Sequence, residues 1–275
     1  MSEKSQPRAM NAETNNSVIA NPWQSLRRYT DARIAQGRSG VSLPTEALLA
    51  FQMDHASARD AVHVALQTER LTEQLQAVGY DTLLLHSQAA DRSEYLQRPD
   101  LGRRLDQAAI KRLQQYRQQQ GRVKVSLVIA DGLSSMAVQH HGAAMAEAVL
   151  NRLTSRGFSI APVSIVMQGR VAVGDEVGES LGAELLIVLI GERPGLSSPD
   201  SLGIYYTYQP QAGLTDARRN CISNVRPAGM SIDAACDKLI WLIDQSMCLG
   251  TSGVALKDQS VSTSNVNQHK NFLLP

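Results

Sequence analysis

Apolar and polar positions along the chain change rhythm near residue 122. Upstream, helical spacing dominates. Asn21 can cap a helix that starts at Pro22. After Pro44, Leu48 and Phe51 stand three apart and Leu49 and Met53 four apart, so each pair shares a helix face. Val62, Val64, Leu66, Leu71 and Leu75 carry the pattern toward Gly79. Leu83-Leu84-Leu85 predicts a short strand, and Asp91 or Ser93 can cap a segment running into Leu105, Ile110, Leu113 and Tyr116. Gln114 to Arg122 reads as a solvated helix end or a linker.

Downstream, strand and helix patterns alternate. Lys124–Ala130, Ser159–Met167 and Glu184–Ile190 predict strands, with Ile204–Tyr208 and Cys221–Asn224 as further ones. Ser134–Arg156 and Asp175–Leu181 predict helices, ended by Gly157 and Gly182. Ser231 caps a last helix with an apolar stripe through Ile232, Ala235, Cys236, Leu239, Ile240, Ile243 and Met247. The expected fold class is therefore α/β: a mainly helical N-terminal region (21–122), then a Rossmann-like, mostly parallel sheet domain (123–250). The dinucleotide fingerprint is missing. The flanking segments read as a disordered tail (1–20) and a polar C-terminal tail (251–275).

Composition narrows the functions. The chain has 275 residues and 43% hydrophobic content, enough for one large domain or two small ones. Lys plus Arg is 27 and Asp plus Glu is 26, so the net charge of +1 gives no basic surplus for nucleic acid. No apolar run approaches the roughly 20 residues needed to span a bilayer. No signal-peptide core stands in the first residues, so a cytoplasmic protein is expected. The odd set Cys221, Cys236 and Cys248 has no zinc-ribbon or redox spacing. The adjacent pair His140 and His141 would point about 100° apart on an α-helix, so no metal site is expected.

The most informative stretch is Glu184 to Asn224. Its apolar run Leu185–Ile190 breaks into Gly191-Glu192-Arg193-Pro194-Gly195, and Arg218-Arg219-Asn220-Cys221-Ile222-Ser223-Asn224 follows later. Such a run predicts a strand covered on both faces. Ligands in open α/β sheets bind beyond the carboxyl ends of such strands. Glu192 and Arg193 stand there, either as a surface ion pair or as ligand groups. Cys221 is either a nucleophile assisted by Arg218 and Arg219 or a small neutral contact residue. Asp131-Gly132-Leu133-Ser134-Ser135 is either a tight capped turn or an acceptor-binding helix start.

These motifs, with Arg98-Pro99-Asp100-Leu101-Gly102-Arg103-Arg104-Leu105, Arg170-Val171 and Gly178-Glu179-Ser180-Leu181-Gly182-Ala183, occur in one order. Over roughly Asn21 to Leu256 the chain resembles the small subunit of ethanolamine ammonia-lyase. The resemblance implies a Rossmann-like cobalamin-binding domain and the cofactor adenosylcobalamin. It implies a hetero-oligomer with the large subunit, a barrel that carries the ethanolamine site. It also implies conversion of ethanolamine to acetaldehyde and ammonia by a radical route. It places Val171, Glu192 and Cys221 at cofactor contacts and assigns this chain no catalytic residue of its own. Absence of the Asp-x-His-x-x-Gly pattern implies that cobalamin keeps its benzimidazole ligand. Some relatives use an amphipathic N-terminal helix to enter a bacterial microcompartment. The polar tail here shows none, so a free cytosolic complex and an encapsulated one both stay open. The alternative is a non-catalytic α/β module that binds a small ligand or scaffolds a partner.

Overall fold

The computed structural model describes residues 18–257. Most of the two tail segments, 1–20 and 251–275, lies outside them. The chain divides into two compact units at Ala56/Ser57.

In the first unit, Pro22–Tyr29 forms a 3-10 helix, not an α-helix. Asn21 caps it, its side chain accepting from the Trp23 N–H at 2.9 Å. Ile19 and Arg38 make an antiparallel bridge, and Arg33 pairs with Asp54 at 2.5 Å. Among the described residues before Ser57, Pro44 alone is buried. This segment therefore has almost no core of its own.

Helix α1 (Thr45–His63) ends before the next apolar stretch, which forms α2 (Thr68–Ala77). The sequence pattern suggested one longer helical region through Gly79; the break at 64–67 matches the less regular spacing of Val62, Val64 and Leu66. Next come β1 (Thr82–His86), α3 (Arg92–Gln97) and α4 (Gln107–Gln120). Asp91 and Asp106 cap the two helices through Glu94 and Ala109 N–H groups.

The remaining strands are β2 (Val125–Ala130), β3 (Val163–Met167), β4 (Leu185–Gly191), β5 (Leu202–Tyr208) and β6 (Arg219–Val225). Between β2 and β3 lie α5 (Ser135–Ala137), a π-turn over Val138–Gly142, and α6 (Ala143–Ser155). Helix α7 (Val173–Leu181) precedes β4, and α8 (Ile232–Leu249) follows β6. Among the described residues no helix is long and apolar enough to cross a membrane.

The six strands form one sheet in the order β1-β3-β2-β4-β5-β6. The first four pair parallel, whereas β4–β5 and β5–β6 pair antiparallel. The sheet is thus mixed, which corrects the expectation of a mostly parallel one. The reason is local. No long helix lies between β4 and β5 or between β5 and β6. A parallel return needs a crossover of about a dozen residues or more, usually helical.

Strand β4 shows why its sequence is continuously apolar. Leu185, Ile187 and Leu189 face a core with α6 and α8, while Leu186, Val188 and Ile190 face a second core with α4 and α7. Full burial of each such side chain contributes roughly 1.5–3 kcal/mol. Helices therefore cover both faces. The connection after β2 crosses one face through α6 and the connection after β3 crosses the other through α7. That makes the carboxyl end of β2 the switch point, where ligands bind in open α/β sheets.

Candidate functional site

A cleft of about 530 Å³ opens at that switch point. Three successive strand-to-helix or strand-to-strand loops build it. Gly132 and Leu133 follow β2, Arg170 and Val171 follow β3, and Glu192 and Arg193 follow β4. Tyr95, Arg103, Tyr205 and Asp216 complete the wall.

Asp131 organises the floor. Its Oδ1 accepts from the Gly132 and Gly169 N–H groups at 3.0 and 2.9 Å, and its Oδ2 accepts from Gln168 N–H at 2.9 Å. Gln168 holds φ at 54°, an uncommon value for a residue with a side chain. The turn thereby points two consecutive N–H groups at one carboxylate. Asp131 is 4% exposed. Burial raises its pKa, and the three N–H bonds and Arg92 oppose that rise. Its place is structural: it ties the β2 loop to the β3 loop. Ser134 is a cap, accepting from Ala137 N–H at 3.1 Å while donating to the Pro199 carbonyl at 2.7 Å. Of the two readings of Asp131–Ser135, the capped turn is the one the bonds describe.

In the wall, two guanidinium groups lie over the Tyr95 ring. The Arg92 and Arg170 carbons lie 4.6 and 4.4 Å from its ring centroid. Burial pushes the Tyr95 hydroxyl up to about 12, so it stays protonated. Arg92 also donates to the Val62 and Gly132 carbonyls at 2.6 and 2.8 Å. The Arg98–Leu105 motif divides in two. Arg98 and Asp100 form an exposed pair at 2.7 Å. Gly102 instead packs under the cleft, where an added Cβ would come within 3.0 Å of Tyr95 and 3.1 Å of Arg170.

Val171 and Glu192 both line the cleft. Glu192 does not pair with Arg193. Its Oε2 accepts from Ser201 Oγ at 2.5 Å and from Asn224 N–H at 3.2 Å. Among the described residues its Oε1 takes no hydrogen bond. That oxygen lies close to Gly203, where an added Cβ would stand 2.9 Å from it.

Cys221 is not part of the cleft wall itself. It lies opposite Tyr205 in the β5–β6 register, and Tyr205 is in the wall. The residue is exposed, yet the protein around its sulfur raises the thiol pKa. The Glu192 charge adds to this rise, and the Tyr205 side chain partly offsets it. Activated thiols are shifted the other way. The arginines expected to assist Cys221 do not supply that activation. Arg219 turns inward to Asp175, and to Asp216 at 2.5 Å.

Tyr95, Arg92, Ser201 and Tyr205 were not singled out in the sequence. Only Ser201 carried a usable signal, as a small polar residue just before a strand and one loop away from Glu192. The others reach the site through long-range packing.

A family model described as ethanolamine ammonia-lyase light chain (EutC) matches residues 20–257. A protein of Ralstonia nicotianae named ethanolamine ammonia-lyase small subunit is 54% identical over 263 residues, covering 95% of this chain and 97% of that one. Its namesake in Azotobacter vinelandii is 55% identical over 241 residues, with 87% and 89% covered. Another in Pseudomonas putida (strain W619) is 52% identical over 260 residues, with 92% and 96% covered. The chain therefore belongs to the ethanolamine ammonia-lyase light-chain family.

Proposed function

We propose that this chain is the small subunit of an adenosylcobalamin-dependent ethanolamine ammonia-lyase. It holds one side of the cofactor, while a large subunit carries the ethanolamine site. The observation that carries this reading is the convergence of Val171 and Glu192 on one switch-point cleft, with Cys221 behind its Tyr205 wall. The parallel half of the sheet, β1-β3-β2-β4, serves as the Rossmann-like cobalamin-binding part.

The residues present fit a corrinoid. Pockets that enclose drug-sized ligands measure roughly 300–1,000 Å³. A corrinoid is larger than such ligands, so an open cleft of about 530 Å³ covers only part of it. Val171, Leu133 and Ile190 offer apolar surface to a flat ring. Corrin side chains are amides, which donate and accept. The Glu192 carboxylate, which lines the cleft, would accept from one, and charge-assisted bonds of this kind are among the stronger ones. Arg170 lines the cleft with a buried Nε that has no partner among the described residues. The radical chemistry, begun by cobalt–carbon homolysis, comes from the cofactor when bound. The chain's own residues bind, orient and exclude water.

The first unit supports an obligate partner. Trp23 and Met53 are 66% and 67% exposed, and Val41, Leu43, Leu48, Leu49 and Phe51 are exposed nearby in sequence. Apolar groups of this size at a surface mark interaction sites. The large subunit is the partner proposed for them. The complex is placed in the cytoplasm, free or within a bacterial microcompartment.

Ethanolamine-dependent acetaldehyde release with added adenosylcobalamin tests the reading. Activity is expected only when this chain is co-expressed with its large subunit. Activity from this chain alone would refute the division of roles, and an inactive but stable complex would refute the substrate. Corrinoid binding by the isolated chain, with no effect of the partner, would favour the small-ligand module. Glu192→Gln keeps the size of the side chain but weakens the acceptor. Loss of a charged hydrogen bond worth about 1.5–3 kcal/mol predicts roughly a 10- to 150-fold rise in the apparent Kd for adenosylcobalamin. An unchanged Kd in a folded complex would remove Glu192 from the cofactor site.

A further inference from the structure

His140 and His141 are adjacent in sequence, and on an α-helix their side chains would diverge. They do not stand on an α-helix. Residues Val138–Gly142 form a π-turn, whose wider turn leaves a smaller angle between neighbours. Such single π-turns occur frequently at functional sites. Asp200, from the loop between β4 and β5, reaches the same place. His141 Nε2 lies 3.2 Å from Asp200 Oδ2. One ring nitrogen from each histidine and one Asp200 oxygen all lie within 4.8 Å of one another.

We propose that His140, His141 and Asp200 form a binding site for a zinc-type divalent ion, separate from the cofactor cleft and independent of the reading above. Two imidazoles and one carboxylate are a donor set that such ions accept. Zinc bonds to nitrogen and oxygen are about 2.0–2.2 Å, so ligand atoms at tetrahedral corners stand roughly 3.3 Å apart. The His141–Asp200 separation already matches one such edge. His140 is exposed and makes no hydrogen bond among the described residues, so its ring is free to close the other two. Three protein ligands leave a fourth position, which faces solvent and takes water.

The site has a structural consequence. Asp200 sits between Pro199, whose carbonyl is held by Ser134, and Ser201, whose hydroxyl holds Glu192. An ion bound here fastens the π-turn to the loop that positions Glu192. The single His141–Asp200 contact at 3.2 Å is replaced by a metal cross-link.

The test uses the full chain, stripped with a chelator and dialysed against micromolar free zinc. Elemental analysis is expected to show one zinc per chain, with zinc also raising Tm by mass action. His141→Ala and Asp200→Asn each lower zinc affinity at least tenfold and abolish the Tm rise, and circular dichroism verifies their fold. Asp200→Asn changes little else at a loop position, so one variant stays informative if the other misfolds. Because Cys221 and Cys248 are exposed thiols, cobalt substitution separates the sources. Visible cobalt bands without thiolate charge transfer are expected, and a Cys221→Ser/Cys248→Ser chain keeps its zinc. Substoichiometric zinc, a thiolate charge-transfer band, or undiminished binding in both ligand variants would each overturn the site.

Discussion

Arg219→Met is expected to lower stability by about 3–5 kcal/mol at neutral pH, with the deficit shrinking as the solution is made acidic. Arg219 and Asp175 are 2% and 1% exposed at their side chains and bond directly to each other. Arg219 also donates to Asp216 at 2.5 Å and to the Leu214 carbonyl at 3.0 Å. The pair is not fully satisfied, since Asp175 Oδ1 and Arg219 Nε have no partner among the described residues. Removing the cation leaves an uncompensated buried carboxylate, which is the expensive way to break such a pair. Burial already lifts Asp175 from 3.8 to about 6, against the lowering effect of Arg219. Without Arg219 the value goes higher. The sign follows from proton linkage. A folded-state pKa above the unfolded one means the native state holds the extra proton, so stability falls as pH rises through that window. The variant's window extends further up than the wild type's, and acidification therefore closes the gap between them. Urea denaturation at neutral pH and at a pH below Asp175's value measures both. A deficit that stays constant with pH would show that Asp175 is not its source. Asp175→Leu/Arg219→Met should recover much of the loss, because replacing both partners with apolar groups removes the stranded charge.

Much of the fold is legible because single-residue physics decides it. The doubly covered strand β4 needs an unbroken apolar run, and Leu185–Ile190 supplies one. Helix starts are written in short polar caps, and Asn21, Asp91, Ser134 and Ser231 all make the expected cap bonds. Strand direction is harder to read. Alternation of helix and strand suggests parallel pairing, but it holds only as far as β4. The segments 192–201 and 209–218 hold no long helix, and that absence carried the antiparallel signal.

The site shows the same division. Glu192 can be placed in sequence because it follows a buried strand, and strand ends carry ligands in this architecture; Val171 is placed only by the family resemblance. Tyr95 cannot be found that way. It meets the cleft through long-range packing: Arg92 and Arg170, 78 residues apart in sequence numbering (170 minus 92), both place their guanidinium groups over its ring. The histidine pair differs from its sequence reading in backbone geometry alone: it stands on a π-turn, not on an α-helix. One changed hydrogen-bond step alters which neighbouring side chains can approach each other.

Gly191→Ala is expected to cost about 3 kcal/mol, at the upper end of the overpacking range, and, on the proposed function, to weaken adenosylcobalamin binding at least tenfold in the complex with the large subunit. Gly191 ends β4 beside Glu192. A Cβ there would stand 1.9 Å from the Ser134 carbonyl oxygen and 2.7 Å from that of Asp131. Both obstacles are backbone, so no side-chain rotation relieves them. Gly132 mirrors the arrangement: its Cβ would meet the Gly191 carbonyl oxygen at 2.2 Å. Leu133 N–H donates to that same oxygen at 2.9 Å. The β2 and β4 loops therefore touch backbone to backbone at the floor of the cleft. The comparison of the two glycines separates causes. Gly132 has φ of 61°, so alanine there is strained by torsion as well as by contact. Gly191 is not among the positive-φ residues, so its whole penalty comes from the close approach. Relief requires the loops to part, which moves Glu192 away from Leu133 and Gly132 across the cleft. Urea midpoints of the full chain give the stability term, and cofactor titration of the complex gives the binding term. A Gly191→Ala protein with an unchanged midpoint and unchanged affinity would mean that the two loops are not in contact. A lowered midpoint with normal affinity would mean that the contact supports the fold without shaping the cofactor site.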